Sequence, residues 1–398
     1  MIPEKRHQFN AEFSEEKYKD FLEEINQKYG IEISFRVSET PIFISKYFKA
    51  KVLDACDSII SQIQTIDFHE IEQKFLPENL KVPNPIKQPH FLAIDFGLCE
   101  NENGEIEPQL IELQAFPSLY AYQIELGKQF QKHYNCINDD FHFYFNDLNE
   151  ESYIAEMKQL MLGNHSPENV ILLEIYPEKQ KTLVDFLATE KYFAIKTVCL
   201  TKILKEENKI FYINDLGKKI QIKRIYNRII FDELNQMNNL QTQFHLTDNV
   251  EVEWVTHPDW FFLISKSILP LLNHKFVPKS YYLNDYPENL NLENYVLKPL
   301  FSFAGNGVNL YPTKEIIAEI KDKENYILQK KVNYARIIPN PTGEKSKVEL
   351  RMLFIWNEKE NKPKLVINLA RMSKGELINV SHNTHENWIG GTIAFFEK

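Results

Sequence analysis

A lysine that leaves an apolar strand ahead of two glycines is one way to hold phosphate, and residues 295–311, YVLKPLFSFAGNGVNLY, have that order. Tyr295, Val296 and Leu297 read as a buried strand, with Lys298 at its end beside Pro299. Gly305 and Gly307 then punctuate a short loop before the chain extends again from Val308 to Tyr311. An ammonium pairs phosphate as a point charge, and glycines let backbone N–H groups close on the anion. An ordinary β-hairpin with an exposed lysine fits the same residues. The spacing is not that of the Walker loop, because the lysine precedes the glycines and no Lys-Ser or Lys-Thr pair follows them.

A second candidate lies upstream. In QLIELQA, residues 109–115, alternation sets Gln109, Ile111, Leu113 and Ala115 on one face of a strand and Leu110, Glu112 and Gln114 on the other. A carboxylate and an amide oxygen on one face can share magnesium, which leaves its remaining positions to water and phosphate. A solvated strand face alternates in the same way. Asp95, in FLAIDF at 91–96, falls on the neighbouring strand, where it could support the pair. Arg224 and Arg228, in KRIYNRII, offer guanidinium forks that match a carboxylate at two points, or else surface ion pairs. Asp259 opens a predicted helix that carries Lys266 on a mainly apolar background, where a lysine commonly snorkels. Glu349, Arg371 and Lys374 are further charged residues on or beside strands.

These residues need elements to position them. Residues 1–90 read as a mostly helical region, with Ser14 and Gly30 capping one helix and a second helix from about 43 to 66. Strands at 91–96 and 109–115 open a unit reaching to 165 that also holds helices and the aromatic loop FHFYF. Residues 166–235 follow as strand, helix, strand, then KIFYI and KIQIKRIYNRII joined by an Asp215-Leu216-Gly217 turn, which predicts a small three-layer α/β unit with a parallel pair. Such sheets bind ligands beyond the carboxyl ends of their strands. Residues 236–398 are strand-rich, with one helix in PTKEIIAEIKD. The fold class is α/β (α+β).

The 398-residue chain carries a formal charge of −10 without a sustained basic run, so no nucleic-acid surface is expected. Its start lacks signal-peptide regions and no apolar run approaches a membrane span, so a soluble cytoplasmic protein with no membrane partner is expected. Cys56, Cys99, Cys136 and Cys199 are widely spaced, which suits free thiols. His382 and His385 invite a zinc reading or a place in a mobile lid.

Taken together, these stretches resemble a circularly permuted ATP-grasp enzyme, of the kind that includes eukaryotic glutathione synthetase and, more distantly, glutathionylspermidine synthase. The resemblance rests on YVLKP, the glycine loop, NLY, a helix and YILQKKV, followed by VELRMLFIW, LARMSK and WIGGTIAFFE, with LIELQ upstream. It covers roughly residues 90–398 and implies ATP and Mg2+ as cofactors. Lys298 and Lys266 would then meet nucleotide phosphates under the loop of Gly305 and Gly307. Gln329, Lys331 and Val332 would form the hinge at adenine, and Glu349 would lie near the nucleoside. Glu112 and Gln114 would hold the metal. Arg371 and Lys374, with a Gly390-Gly391 loop, would approach from the lid side, and Arg371 or Arg228 would orient a carboxylate. Related enzymes often pair, so a homodimer is an open expectation.

The chain departs from the family at several points. Gln114 replaces an Asn, Ser302 stands where glutathione synthetase has a third acidic metal ligand, and Lys330 replaces a hinge acid. The implied activity is an ADP-forming ligase that joins a small-molecule or short-peptide carboxylate to an amine through an acyl phosphate. A catalytically silent nucleotide-binding module and a small-molecule kinase are the alternatives.

Overall fold

A computed structural model of the chain describes residues 1–237, 239–302, 305–376 and 386–398. The strands that concern the site are β1 (Phe91–Glu100), β2 (Ile106–Gln114), β3 (Ser280–Tyr282), β4 (Tyr295–Pro299), β5 (Tyr326–Lys330), β6 (Lys345–Ile355), β7 (Lys364–Ser373) and β8 (Gly390–Thr392). They form two antiparallel sheets. The larger runs β8-β7-β6-β1-β2, with Ile338–Pro339 added alongside β6, and the smaller runs β3-β5-β4.

One face of the larger sheet is apolar. Ile94, Phe96 and Leu98 of β1, Leu110 and Leu113 of β2, and Val348, Leu350 and Met352 of β6 pack with the helix Lys46–Ile63 in one core. In β1 and β6 the alternate positions place Asp95, Gly97, Glu349 and Arg351 on the opposite face. β2 breaks its own alternation. Asp95 pairs with Glu112 but Phe96 pairs with Leu110, so Ile111 is bulged out of the ladder. Leu110 and Leu113 therefore share the apolar face, while Ile111 and Glu112 both turn to the polar side. Strict alternation had grouped Leu110 with Glu112; the bulge separates them.

The amino-terminal region is helical, as expected, and one helix ends as read: Ser14 accepts from the Lys17 amide at 3.2 Å and Gly30 closes Glu15–Tyr29 at φ 66°. The helix expected from about residue 43 starts at Lys46 instead. Ile42–Ile44 forms a strand parallel to the carboxy-terminal strand Ala394–Glu397, a partner some 350 residues away that no local pattern reveals. Gly390 and Gly391, read as a loop, belong to β8. Gly390 has φ 111°, and a Cβ there would lie 2.2 Å from the Arg36 carbonyl oxygen, so the edge of the sheet seats directly on the amino-terminal region.

The α/β unit has four parallel strands rather than two, in the order Glu253–Trp254, Arg224–Asn227, Val170–Glu174, Lys196–Cys199, with helix Leu183–Phe193 linking the last two. KIQIKRIYNRII divides at Lys223: its first half, Lys219–Ile222, joins a separate antiparallel sheet. Among the described residues no helix is long and apolar enough to cross a membrane.

Candidate functional site

A cavity of about 690 Å³ is lined by both sheets, with Val296, Lys298 and Gln329 from the smaller and Glu112, Lys347, Glu349 and Arg371 from the larger. Its floor follows from strand register, because residues directly opposed in a ladder point to the same face. Glu112, Asp95 and Arg351 stand in one row across β2, β1 and β6; Gly97, Glu349 and Arg371 stand in the next across β1, β6 and β7. Asp95 takes both rows together. It accepts Arg351 Nε at 2.7 Å and Nη2 at 2.6 Å, and Arg371 Nη2 at 2.6 Å. Arg371 also pairs with Glu349 at 2.9 Å, and Glu349 accepts from the Tyr334 hydroxyl. Gly97 leaves room for that tyrosine, since a Cβ there would lie 2.7 Å from its ring.

Two lysines descend on this floor from different elements. Lys298, on β4, donates to Gln329 Oε1 at 2.5 Å and to the Ile111 carbonyl at 3.1 Å, a carbonyl that belongs to the bulge. Lys266 is not carried by the helix after Asp259, which ends at Leu263; it opens the short 3₁₀ helix Lys266–Leu271 and donates to the carbonyls of Ser302 at 2.7 Å and Leu300 at 3.4 Å. Its Nζ lies 3.8 Å from Glu112 Oε2, and Arg351 Nη2 lies 3.5 Å from Glu112 Oε1.

The charges act on one another strongly. Burial alone would raise the Glu112 carboxyl, but Lys266, Arg371, Arg351 and Lys298 together hold it at about 2. Burial draws Lys298 down to about 8, with Glu112 opposing and Lys266 reinforcing the shift. Lys266 is lowered by burial against the pull of Glu112, and Glu349 is raised by burial against the pull of Arg371. Arg371 Nε is buried with no hydrogen-bond partner among the described residues. Such a donor costs stability unless a ligand meets it.

At the mouth, Lys331, Val332, Asn333, Tyr334 and Arg336 continue the lining, with Gly305, Tyr311 and Glu376 opposite. Gly305 and Gly307 take φ 73° and 71°, and a Cβ on Gly307 would press to 2.8 Å from Pro299. The stretch from Val308 returns to β4 through Asn309, whose N–H and carbonyl both bond Leu297 at 2.9 Å. Lys347 and Arg336 are held by carbonyls of Gly375 and Lys374.

Of the residues singled out from sequence, the cavity thus gathers Lys266, Lys298, Gly305, Gln329, Lys331, Val332, Glu349, Glu112 and Arg371. Lys374 lies outside it, paired with Glu344 at 2.7 Å. Arg228 is buried in the α/β unit, 2.8 Å from Asp185. Arg224 caps a helix end, donating to the Leu160 and Met161 carbonyls at 3.0 Å. Gln114 lines a much smaller space of about 10 Å³ with Glu112, Lys266 and Ser302, and its amide nitrogen approaches the Phe116 carbonyl at 3.5 Å. His382 and His385 fall outside the described residues. Sequence reading missed Arg351, Tyr334, Arg336 and Lys347. Lys347, Glu349 and Arg351 sit at period two in KVELR and were open to detection; Tyr334 reaches the floor only through its isolated bridge to Cys99.

The donor set bears on magnesium. Among the described residues no group of three or more His, Cys, Asp and Glu side chains is arranged to hold a metal. On the floor, Asp95 is taken up by two arginines and Glu349 by Arg371 and Tyr334, whereas the cations nearest Glu112 stand at 3.5 and 3.8 Å. One carboxylate with substrate phosphates is an ordinary magnesium arrangement, and a single ion fits at Glu112.

No protein family and no curated protein matches the sequence. Among solved structures, a glutathione synthetase-like effector from Globodera pallida in its apo form matches with a TM-score of 0.58 at 12% identity, covering 96% of each chain. A protein from Methylobacillus flagellatus provisionally assigned as a gamma-glutamylcysteine synthetase overlaps 87% of this chain and 86% of its own, with 8% identity and a TM-score of 0.41. The first of these likenesses, spanning nearly the whole of both chains, establishes that this chain has a glutathione synthetase-like fold.

Proposed function

We propose that the chain is an ATP-dependent carboxylate–amine ligase of the permuted ATP-grasp kind, acting on small molecules or short peptides. One observation carries the reading: Lys298 and Lys266, from separate elements, line the same cavity between two antiparallel sheets as Glu112, which Lys266 approaches to 3.8 Å. The glutathione synthetase-like fold supports it. In this reading the triphosphate lies over Lys298 and Lys266, the base reaches Lys331 and Val332, and Gly305 and Gly307 belong to the loop above the phosphates.

The chemistry is placement and charge neutralisation. A substrate carboxylate oxygen attacks the γ-phosphorus, the bond to the β-phosphate oxygen breaks, and ADP leaves with that electron pair. The amine then attacks the acyl carbon, loses a proton and expels phosphate. Lys298 and Lys266 neutralise charge gathering on the phosphoryl oxygens, and Arg371, which lines the cavity, orients the carboxylate. A magnesium ion held by Glu112, with Gln114 beside it, would supply further charge neutralisation on the phosphates. No side-chain nucleophile is required.

The second reading, a nucleotide-binding module without turnover, is favoured by the space beyond Lys266: Phe116, Phe261 and Phe301 leave about 10 Å³ there, too little for an acceptor without movement. ADP release in magnesium against paired carboxylates and amines separates the two. Release that needs both partners and disappears in Lys298→Ala and Glu112→Ala establishes the ligase. ATP binding with no release under any pairing establishes the module, and phosphate transfer to a stable product without an amine establishes a kinase.

A further inference from the structure

The surroundings of Lys266 are those of a bound cation. Its Nζ has oxygen on three sides, from Ser302, Leu300 and Glu112, and the side chain is only 8% exposed. On the side of Gln114 and Ser302 the space is about one water in size and a divalent ion has no room there, whereas on the other side Lys266 and Glu112 face the wider cavity. Glu112 is contested from the other side by Arg351 at 3.5 Å. A metal entering here therefore competes with two fixed charges for its one carboxylate.

The wider cavity is correspondingly rich in positive charge. Its described lining carries seven lysines and arginines against four glutamates, in a chain whose formal charge is −10. A local excess of that sign attracts a polyanion without help from a metal. Lys266, Lys298 and Arg371 line it together with Lys331, Arg336 and Lys347.

We propose that Lys266 is the built-in cation of this site, and that the cavity binds a nucleoside triphosphate in its metal-free form about as tightly as with magnesium. This rests on the reading of the cavity as a nucleotide site. Magnesium then matters for turnover more than for binding, and its role falls to a single ion at Glu112.

Isothermal titration of the whole chain with ATP, once in EDTA and once in saturating magnesium at matched ionic strength, tests this. The affinities are expected to agree within about threefold, and a loss beyond about tenfold on removing magnesium overturns the proposal. Two variants sharpen the result. In Lys266→Gln the metal-free affinity is expected to fall by about a hundredfold and to be recovered in part by magnesium, because Glu112 is then released to hold it. In Glu112→Gln the metal-free affinity is expected to rise several-fold, since a carboxylate facing the phosphates is gone; a fall instead would show that Glu112 does not oppose the phosphates and overturn the proposal. Binding seen only with magnesium removes this inference and leaves the nucleotide site standing. No binding in either condition removes both.

Discussion

Two parts of the molecule bury arginine–aspartate pairs, and they differ in what is left over. In the α/β unit, Arg228 meets Asp185 at 2.8 Å, and the same aspartate accepts the amides of Leu119, Ala121 and Tyr122, each at 3.0 Å. That cluster is packed on Phe116 and Phe186, and it ties the parallel sheet to the segment entering helix Tyr122–His133. On the polar face of the larger sheet, Asp95 is shared by two arginines, Glu112 is flanked by Lys266 and Arg351, and Glu112 and Arg371 line an open cavity. The first arrangement faces no cavity and its aspartate is fully used, although Arg228 Nε, like Arg371 Nε, is buried without a hydrogen-bond partner among the described residues. The second keeps a positive surplus facing open space. A buried ion pair by itself is a statement about architecture; surplus charge beside room for a ligand is a statement about binding.

The comparison breaks first at Arg228. Replacing it with alanine leaves Asp185 buried without its counter-charge, so Arg228→Ala is expected to lower unfolding stability by about 3–5 kcal/mol in denaturant titration, with ATP affinity of the folded protein unchanged. The reverse result, stability kept and affinity lost, would move Arg228 into the binding site. At the cavity floor the expectation is inverted. Lys298→Met should weaken ATP by about a hundredfold in calorimetric titration while its thermal unfolding shifts little, because the lysine's own burial is already costly. A large stability loss with intact binding would show that Lys298 is architectural.

A smaller effect concerns pH. Lys298 in the free protein titrates at about 8, below its ordinary 10.5, and a phosphate beside it favours the ammonium. Binding above that pH must therefore take up a proton. Affinity should be level below pH 8 and fall by up to about tenfold per unit above it, and Lys298→Arg should flatten the fall. A wild-type profile without a break would separate Lys298 from the phosphates.

Much of this site was legible in the sequence. Lys298 at a strand end, Glu112 in LIELQ and Arg371 in LARMS are charged residues on strongly patterned strands, and the cavity gathers them. Where reading failed, the cause was long-range pairing. The bulge at Ile111 changes which leucine shares a face with Glu112, and alternation carries no sign of it. Arg224 and Arg228 read from the sequence as a carboxylate clamp or as surface ion pairs, whereas the fold buries both and gives each a structural partner, a helix end for one and Asp185 for the other. Arg351 was passed over although it continues the period of Lys347 and Glu349, because a charge within an apolar strand looks incidental until Asp95 is placed opposite.

The sequence by itself determined the local grammar: the caps at Ser14 and Gly30, the alternating strands of both sheets, the turn at Gly217, and the order in which lysine, glycines and carboxylates follow one another. These depend on backbone preference and periodicity over a few residues. Tertiary structure alone decided that Lys266 lies 3.8 Å from Glu112, that Asp95 holds Arg351 and Arg371 together, and that Ile42–Ile44 pairs with the carboxy-terminal strand. Those contacts join segments separated by more than 150 residues. Their formation depends on which apolar faces are buried against one another, and no local window contains that information.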